Sequence, residues 1–283
     1  MTRSPRQNRP PPASLQAVAI TAQDKGGEGK SLTALALADR AQLSSLPIGI
    51  IQVDDQGRLP LLLGPEVVTI RIDPRLARRD PSAELRAFTP LYETIEQTSA
   101  VGGLTIVEFG ANMAGRGSLW SGMIDLDEEL REMGTTSLIL TPIGATAESM
   151  RLGARAANAF LGKLPTAHLA FIENERDGLI EKLHPASDAA AAYRDEILPL
   201  RSGAAVLRMP LIEGASWRVF EAAGVRPVDV VSMPVTQIMA LTGLPKPEAK
   251  IARGDIAAWM SVVCDEFDKL IRLDREVGDG ASI

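Results

Sequence analysis

One glycine-rich segment carries two lysines at a spacing that suits phosphate chemistry. Residues 25–31 read Lys-Gly-Gly-Glu-Gly-Lys-Ser, after an apolar run at 17–20 and before a helix-forming run at 32–41. Glycines let backbone N–H groups surround an anion without clashes, and the positive end of a following helix faces that same anion. Lys30 can reach phosphate oxygens, and the Ser31 hydroxyl can bind Mg²⁺. The segment therefore predicts a loop that binds the phosphates of a nucleotide.

The loop differs from the common pattern G-x-x-x-x-G-K-[ST], because Asp24 stands where the first glycine would be. It instead resembles the deviant Walker A motif, K-G-G-x-G-K-[ST], of the ParA/MinD family of ATPases. The resemblance implies that ATP and Mg²⁺ are bound, that ATP lies between the subunits of a homodimer, and that Lys25 and Lys30 are catalytic. In the family, the lysine that matches Lys25 reaches across to the nucleotide of the other subunit. The implied nucleotide-binding residues of the loop are Gly26, Gly27, Glu28, Gly29, Lys30, Ser31 and Leu32.

Carboxylates follow two further apolar runs. Asp54 lies in Gln-Val-Asp-Asp-Gln-Gly, which resembles the family's D-x-D-P-Q-G segment with Gln52 in place of the first aspartate. The resemblance implies that Asp54 is catalytic, because it supports attack by water and organises Mg²⁺. Glu108 ends the run at 104–107, as the acid of a Walker B strand does, and could hold a Mg²⁺-bound water; the alternative is a surface glutamate at a strand end. The predicted metal ligands are Ser31, Asp54 and Glu108.

Two later segments match positions at which the family contacts the base. Asn174 follows an apolar run at 168–172, and the resemblance implies that its amide, which both donates and accepts, hydrogen-bonds adenine. Asparagine is also common in turns, which is the alternative. Arg208-Met209-Pro210 stands where the family often has an I-P-R-type segment, so Met209 and Pro210 are expected to line the base.

Glu28, Gln52 and Glu108 depart from the family pattern. A carboxylate near a triphosphate costs Coulomb energy unless it faces solvent or a cation, so Glu28 is expected to face one of these. We expect an ATP hydrolase that binds ATP, hydrolyses it slowly, and is stimulated by a partner protein.

Apolar runs and helix-forming runs alternate along the chain. Continuous apolar strands separated by helices predict an α/β fold, a doubly wound and mostly parallel sheet flanked by helices, as in P-loop NTPases. Pro90 is expected to kink or split the second helix, and Ser187 to cap the fourth. The predicted strands are 16–21, 47–53, 67–72, 104–107, 137–140, 168–172 and 204–207. The predicted helices are 31–44, 82–98, 147–161, 187–196 and 253–272.

Three regions are expected along the chain. Residues 1–14 are basic and proline-rich and predict a disordered tail. Residues 15–230 are expected to form the P-loop ATPase domain, and 231–283 a helical extension packed on it. The stripe of Ile256, Met260, Val263 and Phe267 would face the domain, because the acidic residues around it oppose binding to anionic lipid.

Composition limits the function classes. The 283 residues carry a net charge of −6, so DNA binding would need a local basic patch. The single Cys264 excludes a disulfide within the chain and disfavours a metal-cluster protein. The absence of an 18-residue apolar run predicts a cytoplasmic protein with no membrane partner. The candidate basic sets are Arg71, Arg75, Arg78, Arg79 and Arg86, and Arg201, Arg208, Arg218 and Arg226.

The resemblance implies a ParA-like ATPase that dimerises on ATP and acts in plasmid or chromosome partition through non-specific DNA binding. A centromere-binding protein or another activating protein would be its partner. The alternatives are an ATPase for conjugative DNA transfer or cargo positioning, and a weakly hydrolysing, nucleotide-dependent interaction switch.

Overall fold

The computed structural model describes residues 16–54, 57–73, 75, 79–213 and 216–270. The basic tail expected at 1–14 lies outside the described residues, as do Asp55, Gln56 and Arg78.

The described residues form a seven-stranded sheet in which every neighbouring pair of strands is parallel. The strand order is β3-β2-β4-β1-β5-β6-β7, so β1 lies at the centre, where the order reverses. In such sheets ligands bind beyond the carboxyl ends of the strands at this switch point. The strands are β1 (Ala17–Ala22), β2 (Ile48–Val53), β3 (Val68–Ile70), β4 (Leu104–Phe109), β5 (Thr136–Ile143), β6 (His168–Asn174) and β7 (Ala204–Met209).

Helices cover both faces of the sheet, which confirms the predicted α/β fold class. A single π-helical turn, Tyr193–Ile197, joins two of them. The described helices are α1 (Lys30–Leu43), α2 (Arg58–Leu63), α3 (Pro81–Ala87), α4 (Thr89–Ala100), α5 (Ala114–Met123), α6 (Leu126–Glu132), α7 (Ala147–Leu161), α8 (Asp188–Ala192), α9 (Leu198–Arg201), α10 (Ser216–Ala222), α11 (Pro227–Ser232), α12 (Val235–Thr242) and α13 (Lys246–Leu270).

Alternation along the central strand divides the core into two layers. In β1, Ala17 and Ala19 face the layer that contains α1 and the C-terminal helices, whereas Val18 and Ile20 face the layer that contains α4 and α7. Successive strand residues point to opposite faces, so a buried central strand must be apolar on both. Small residues on the α1 side let that helix approach the sheet closely.

The helix expected at 253–272 begins earlier, and α13 is described over Lys246–Leu270. Its apolar stripe is buried, as expected, within the same core layer as α1. Arg40 of α1 binds Asp268 of α13, with Nε–Oδ1 and Nη2–Oδ2 distances of 2.8 and 3.0 Å. The terminal helix therefore covers the helix that follows the glycine-rich loop, while the boundary at residue 231 stays a prediction.

Local sequence signals account for several element ends. The helix expected at 82–98 is split at Phe88 into α3 and α4, just before Pro90. Ser187 caps α8, since its side chain accepts a hydrogen bond from the Ala190 N–H. The single helix expected at 187–196 is wrong in detail, because α8 continues as the π-helical turn.

Candidate functional site

The glycine-rich loop joins β1 to α1, at the carboxyl edge of the sheet. Gly27 and Gly29 have φ of +78° and +94°, in the left-handed region that other residues rarely adopt. Gly29 caps α1, no described side chain caps that end, and the first turn has no acidic residue. The N–H groups at the start of α1 are therefore available to an anion, and the helix dipole favours one there.

Two residues at the end of β6 hold the outer side of the loop. The Arg176 guanidinium donates to the Gly27 carbonyl oxygen. The Asn174 amide Nδ2 donates to the Glu28 carbonyl oxygen at 3.0 Å, and its Oδ1 accepts from the Arg176 N–H at 3.1 Å. A Cβ on Gly29 would lie 2.6 Å from Asn174 Nδ2, so this contact requires glycine as well.

The Glu28 carboxylate turns away from the cleft and is 1% exposed. Its Oε1 forms an ion pair with Lys25 Nζ at 3.0 Å, and its Oε2 accepts from the Ser149 hydroxyl at 2.5 Å. The Arg176 guanidinium lies 3.9 Å from Oε1. Glu28 thus faces cations, as expected for a carboxylate inside a loop that binds anions.

Lys25 is held by its own chain. Besides Glu28, its ammonium donates to Thr146 Oγ1 at 3.2 Å and lies 3.6 Å from the Glu148 carboxylate. Burial lowers the pKa of Lys25, but the contact with Glu28 and the charges of Glu148 and Asp177 outweigh it, so the pKa is raised. The ammonium is therefore charged at neutral pH and is bound within the loop.

Lys30 lies at the first position of α1 and is 7% exposed. Its ammonium donates to the Lys25 carbonyl oxygen at 2.7 Å, which closes the loop. Burial lowers the pKa of Lys30, against the opposing charges of Glu108 and Asp54. A bound phosphate would supply an anion to this desolvated cation.

Glu108 is buried inside the site, so the alternative of a surface glutamate at the strand end is wrong. Its Oε1 accepts from the Ser31 hydroxyl at 2.5 Å, and its Oε2 accepts from Gln52 Nε2 at 2.7 Å. Gln52 Oε1 in turn accepts from the Leu59 N–H at 3.2 Å, at the start of α2. Burial raises the pKa of Glu108, and the bonds from Ser31 and Gln52 oppose that rise.

Gln52 and Glu108 are therefore one departure from the family pattern rather than two. An aspartate at position 52 would place a second carboxylate beside the buried Glu108, and like charges in a buried site cannot both ionise cheaply. The amide donates to the glutamate instead and still accepts from α2.

Asp54 follows β2 and lies against Gly110, which follows the neighbouring strand β4. A Cβ on Gly110 would be 2.6 Å from Asp54 Cγ, so the lack of a side chain at 110 allows this approach. The Gly110 N–H donates to the Val53 carbonyl oxygen at 2.9 Å. The ends of β2 and β4 are thus in contact beside the loop.

A cleft of about 720 Å³ opens above these residues, within the range of about 300–1,000 Å³ usual for small-molecule sites. The predicted residues that line it are Gly26, Gly27, Gly29, Lys30, Ser31, Leu32, Asp54, Glu108, Asn174 and Pro210. Lys25 and Glu28 lie behind the loop instead. Met209 is 1% exposed and belongs to the core, because it ends β7 facing inward, so its expected contact with the base is not supported.

Residues outside the predicted nucleotide site complete the wall. Trp217 and Arg218 come from α10, and Arg218 was expected only as part of a basic set, while Arg176 and Arg58 lie near the ends of β6 and β2. The Arg176 signal, a basic residue just after the apolar run of β6, was visible in the sequence. The remaining lining residues are Ala111, Met113, Leu211, Ile212 and Glu221.

The residues present fit a magnesium ion bound together with a nucleotide. Among the described residues, no group of three or more His, Cys, Asp or Glu could hold a metal ion by itself. The Ser31 hydroxyl and the Glu108 carboxylate touch, and Asp54 lines the same cleft. Mg²⁺ takes hard oxygen ligands and is commonly held by one or two carboxylates plus substrate phosphates.

The arginine sets differ in their surroundings. Arg226 binds the fully buried Asp39, with Nη2–Oδ1 at 2.5 Å, so it is structural rather than available to DNA. Arg208 pairs with Glu175, and Arg218 lines the cleft. Of the other set, those that the structure describes are exposed: Arg71, Arg75, Arg79 and Arg86.

In the part of the chain that the structure describes, no helix is both long and apolar enough to span a membrane. No protein-family model matches the sequence, and no curated protein matches it.

Solved structures give several likenesses at low identity. The complex of Cyanothece McdA(D38A) with ATP is 14% identical, with a TM-score of 0.48 over 88% of this chain and 98% of that one. Apo McdA is 15% identical, with a TM-score of 0.45 over 86% and 99%. The Aquifex aeolicus cell division protein MinD is 14% identical, with a TM-score of 0.42 over 87% and 97%. By its own loop sequence, the place of that loop between β1 and α1, and its all-parallel sheet, the chain has a P-loop NTPase fold and resembles the ParA/MinD ATPases.

Proposed function

We propose that this chain is a ParA/MinD-type ATPase that binds ATP with Mg²⁺ and dimerises on it. The observation that carries the proposal is the convergence of Lys30, Ser31 and Glu108 on a glycine-rich loop that opens into a cleft of nucleotide size. The loop geometry, with left-handed glycines and an α1 N-terminus that no described side chain caps, supports phosphate binding independently of the motif.

Each residue has a distinct task in this proposal. The α1 N–H groups and Lys30 bind the phosphates, and Ser31 and Glu108 hold the ion or its water. Mg²⁺ supplies Lewis-acid neutralisation of phosphate charge when it is bound. Asp54, at the edge of the cleft and against Gly110, orients water. The Ser31 hydroxyl donates its proton to Glu108 at 2.5 Å, so the lone pairs of its oxygen would stay available to the ion.

Hydrolysis is proposed to be slow until a partner acts. Lys25 is bound to Glu28, Thr146 and Glu148 of its own chain. A lysine that reaches another subunit must first leave these contacts, which raises the free energy of the sandwich dimer. We propose that the dimer binds DNA without sequence preference through the exposed arginines Arg71, Arg75, Arg79 and Arg86. Its role would be the partition of a plasmid or chromosome.

Binding and hydrolysis test the enzyme directly. The purified chain should bind ATP in the presence of Mg²⁺, and light scattering should show a dimer with a non-hydrolysable ATP analogue but not with ADP. Lys30→Ala should abolish ATP binding and dimerisation. The matched control is Lys163→Ala, at an exposed lysine after α7, which should change neither. Wild-type protein that binds no nucleotide would end the ATPase proposal, and binding without turnover would favour the interaction switch.

A separate measurement tests DNA. Random-sequence duplex should bind the ATP-loaded dimer with affinity that falls steeply with salt, because phosphate contacts release counterions. The double variant Arg75→Ala/Arg79→Ala should weaken binding, while Arg151→Ala, whose arginine pairs with Asp188 on the surface of α7, should not. Equal affinity in both variants would reject this surface, and no binding at any salt would favour cargo positioning without DNA.

A further inference from the structure

Consecutive carbonyl groups of the phosphate loop are bound by one short segment after β6. Arg176 donates to the Gly27 carbonyl, and Asn174 donates to the Glu28 carbonyl at 3.0 Å. The segment is itself fixed, because Asn174 Oδ1 accepts from the Arg176 N–H at 3.1 Å. The donors and the loop are 146 and 149 residues apart in sequence, so the contact is tertiary.

These hydrogen bonds determine which way the loop's peptide groups point. A loop binds an anion when its N–H groups face inward, and its carbonyl groups must then face outward. The Glu28 carbonyl lies on a buried residue and needs a donor, since an unpaired buried carbonyl costs about 1–3 kcal/mol, whereas Gly27 is exposed. Asn174, 9% exposed, supplies a donor where solvent has little access.

The same contacts assign the Asn174 amide to the loop. One of its two N–H bonds donates to the Glu28 carbonyl, and its Oδ1 accepts from the Arg176 N–H. Asn174 Nδ2 also lies where a Cβ of Gly29 would be, at 2.6 Å, so the amide is wedged against the loop. Asp177 holds the Arg176 fork in place, with Nε–Oδ1 at 3.1 Å and Nη2–Oδ2 at 2.7 Å.

We propose that Asn174 and Arg176 are positioning residues that keep the phosphate loop in its anion-binding shape, rather than residues that read the base. The proposal rests on the proposed nucleotide-binding function and deepens it. It predicts that loss of either donor weakens the binding of every ligand that carries the phosphate chain by the same factor, whatever base is attached.

The test compares three probes with Mg²⁺ by calorimetry: ATP, GTP and inorganic tripolyphosphate. Asn174→Ala should weaken all three by about tenfold, which is one lost hydrogen bond to a buried carbonyl, and Arg176→Ala should weaken all three by less, because its bond to Gly27 is exposed. The ratio of ATP to GTP affinity should not change. Arg176→Lys should recover part of the loss, because it keeps one donor. Arg151→Ala is the control, since its arginine pairs with Asp188 outside the cleft.

The opposite pattern overturns the proposal: Asn174→Ala that lowers only ATP affinity, leaves tripolyphosphate unchanged and removes the preference for adenine. Hydrogen exchange of the loop amides at 26–31, without any ligand, gives an independent decision. Faster exchange in both variants than in Arg151→Ala supports the positioning role, and unchanged exchange rejects it. If wild-type protein binds none of the probes, the ATPase function fails, while the exchange experiment still decides how the loop is held.

Discussion

The ion pair between Lys25 and Glu28 predicts that Lys25 stabilises the fold. Lys25→Ala removes the cation closest to a carboxylate that is 1% exposed. What remains around that carboxylate is the Ser149 hydroxyl and the Arg176 guanidinium at 3.9 Å. The substitution should therefore destabilise the fold, in addition to removing any role of the lysine toward nucleotide.

The expected size follows from the geometry. Unit charges separated by 3.0 Å attract by about 5–6 kcal/mol at an effective dielectric constant of about 20, and desolvation of the carboxylate offsets part of this. Breaking a buried ion pair by removing one partner typically costs about 3–5 kcal/mol. The Lys25 side chain is 24% exposed and Arg176 stays nearby, so we expect a loss of about 2–3 kcal/mol in the free energy of unfolding.

A double-mutant cycle separates the structural role from the catalytic one. Glu28→Gln removes the buried charge, and Lys25→Ala/Glu28→Gln should lie within about 1 kcal/mol of Glu28→Gln alone. Urea unfolding followed by tryptophan fluorescence measures each variant, since Trp120 and Trp259 are buried. ATP-dependent dimerisation should stay lost in the double variant even though its stability recovers. Equal costs of Lys25→Ala in both backgrounds would refute the reasoning.

Further predictions concern the buried polar groups and the terminal helix. Burial, opposed by Arg226, raises the pKa of Asp39 from 3.8 to about 6, so its contribution to stability is present below pH 4 and is lost as the pH rises through 6. Relative to wild type, Asp39→Asn should gain about 2–3 kcal/mol between pH 4 and pH 7 in urea unfolding, and a gap that does not move with pH would contradict this. Gln52→Glu puts a second carboxylate against Glu108, so its destabilisation should be larger at pH 8 than at pH 5, and equal losses at both would count against the contact. Phe267→Ala, at a site 1% exposed, should cost about 3–5 kcal/mol in a single transition seen alike by fluorescence and circular dichroism, whereas two separate transitions would show that the helix folds independently.

The sequence predicted the sheet well because its strands are continuous apolar runs. Each expected strand overlaps an observed one, and α7 was predicted with the observed bounds, Ala147–Leu161. Two of the helices that were not predicted, α2 and α11, are six residues long. So few residues show less than two turns of periodicity, and their stability comes from packing, which a local pattern does not record.

In the candidate site too, features set by local sequence could be predicted, and those set by tertiary contacts could not. The glycine-rich loop could be proposed as a phosphate site from sequence because its glycines and lysines lie within seven consecutive residues. The contacts of the Glu28 carboxylate could not be predicted from its neighbours in sequence, since Ser149 lies 121 residues away and Arg176 approaches from the end of β6. Asn174 was located correctly at the cleft, but its amide is used by the loop, and only the tertiary contacts reveal that.

The residues that depart from the family pattern contact one another in this site, which bears on whether they indicate a loss of activity. Gln52 with Glu108 forms one hydrogen-bonded unit, and Glu28 with Lys25 forms another. A degenerating site would be expected to leave buried polar groups without partners, because nothing selects for their replacement. Here Gln52 and Glu108 share a hydrogen bond, and Glu28 forms an ion pair with Lys25 and accepts from Ser149, although its Oε1 accepts no hydrogen bond. Reverting one of these residues alone therefore disrupts its unit. The site is therefore built as a consistent alternative to the family pattern, and activity should be sought under conditions that release Lys25 rather than assumed to be lost.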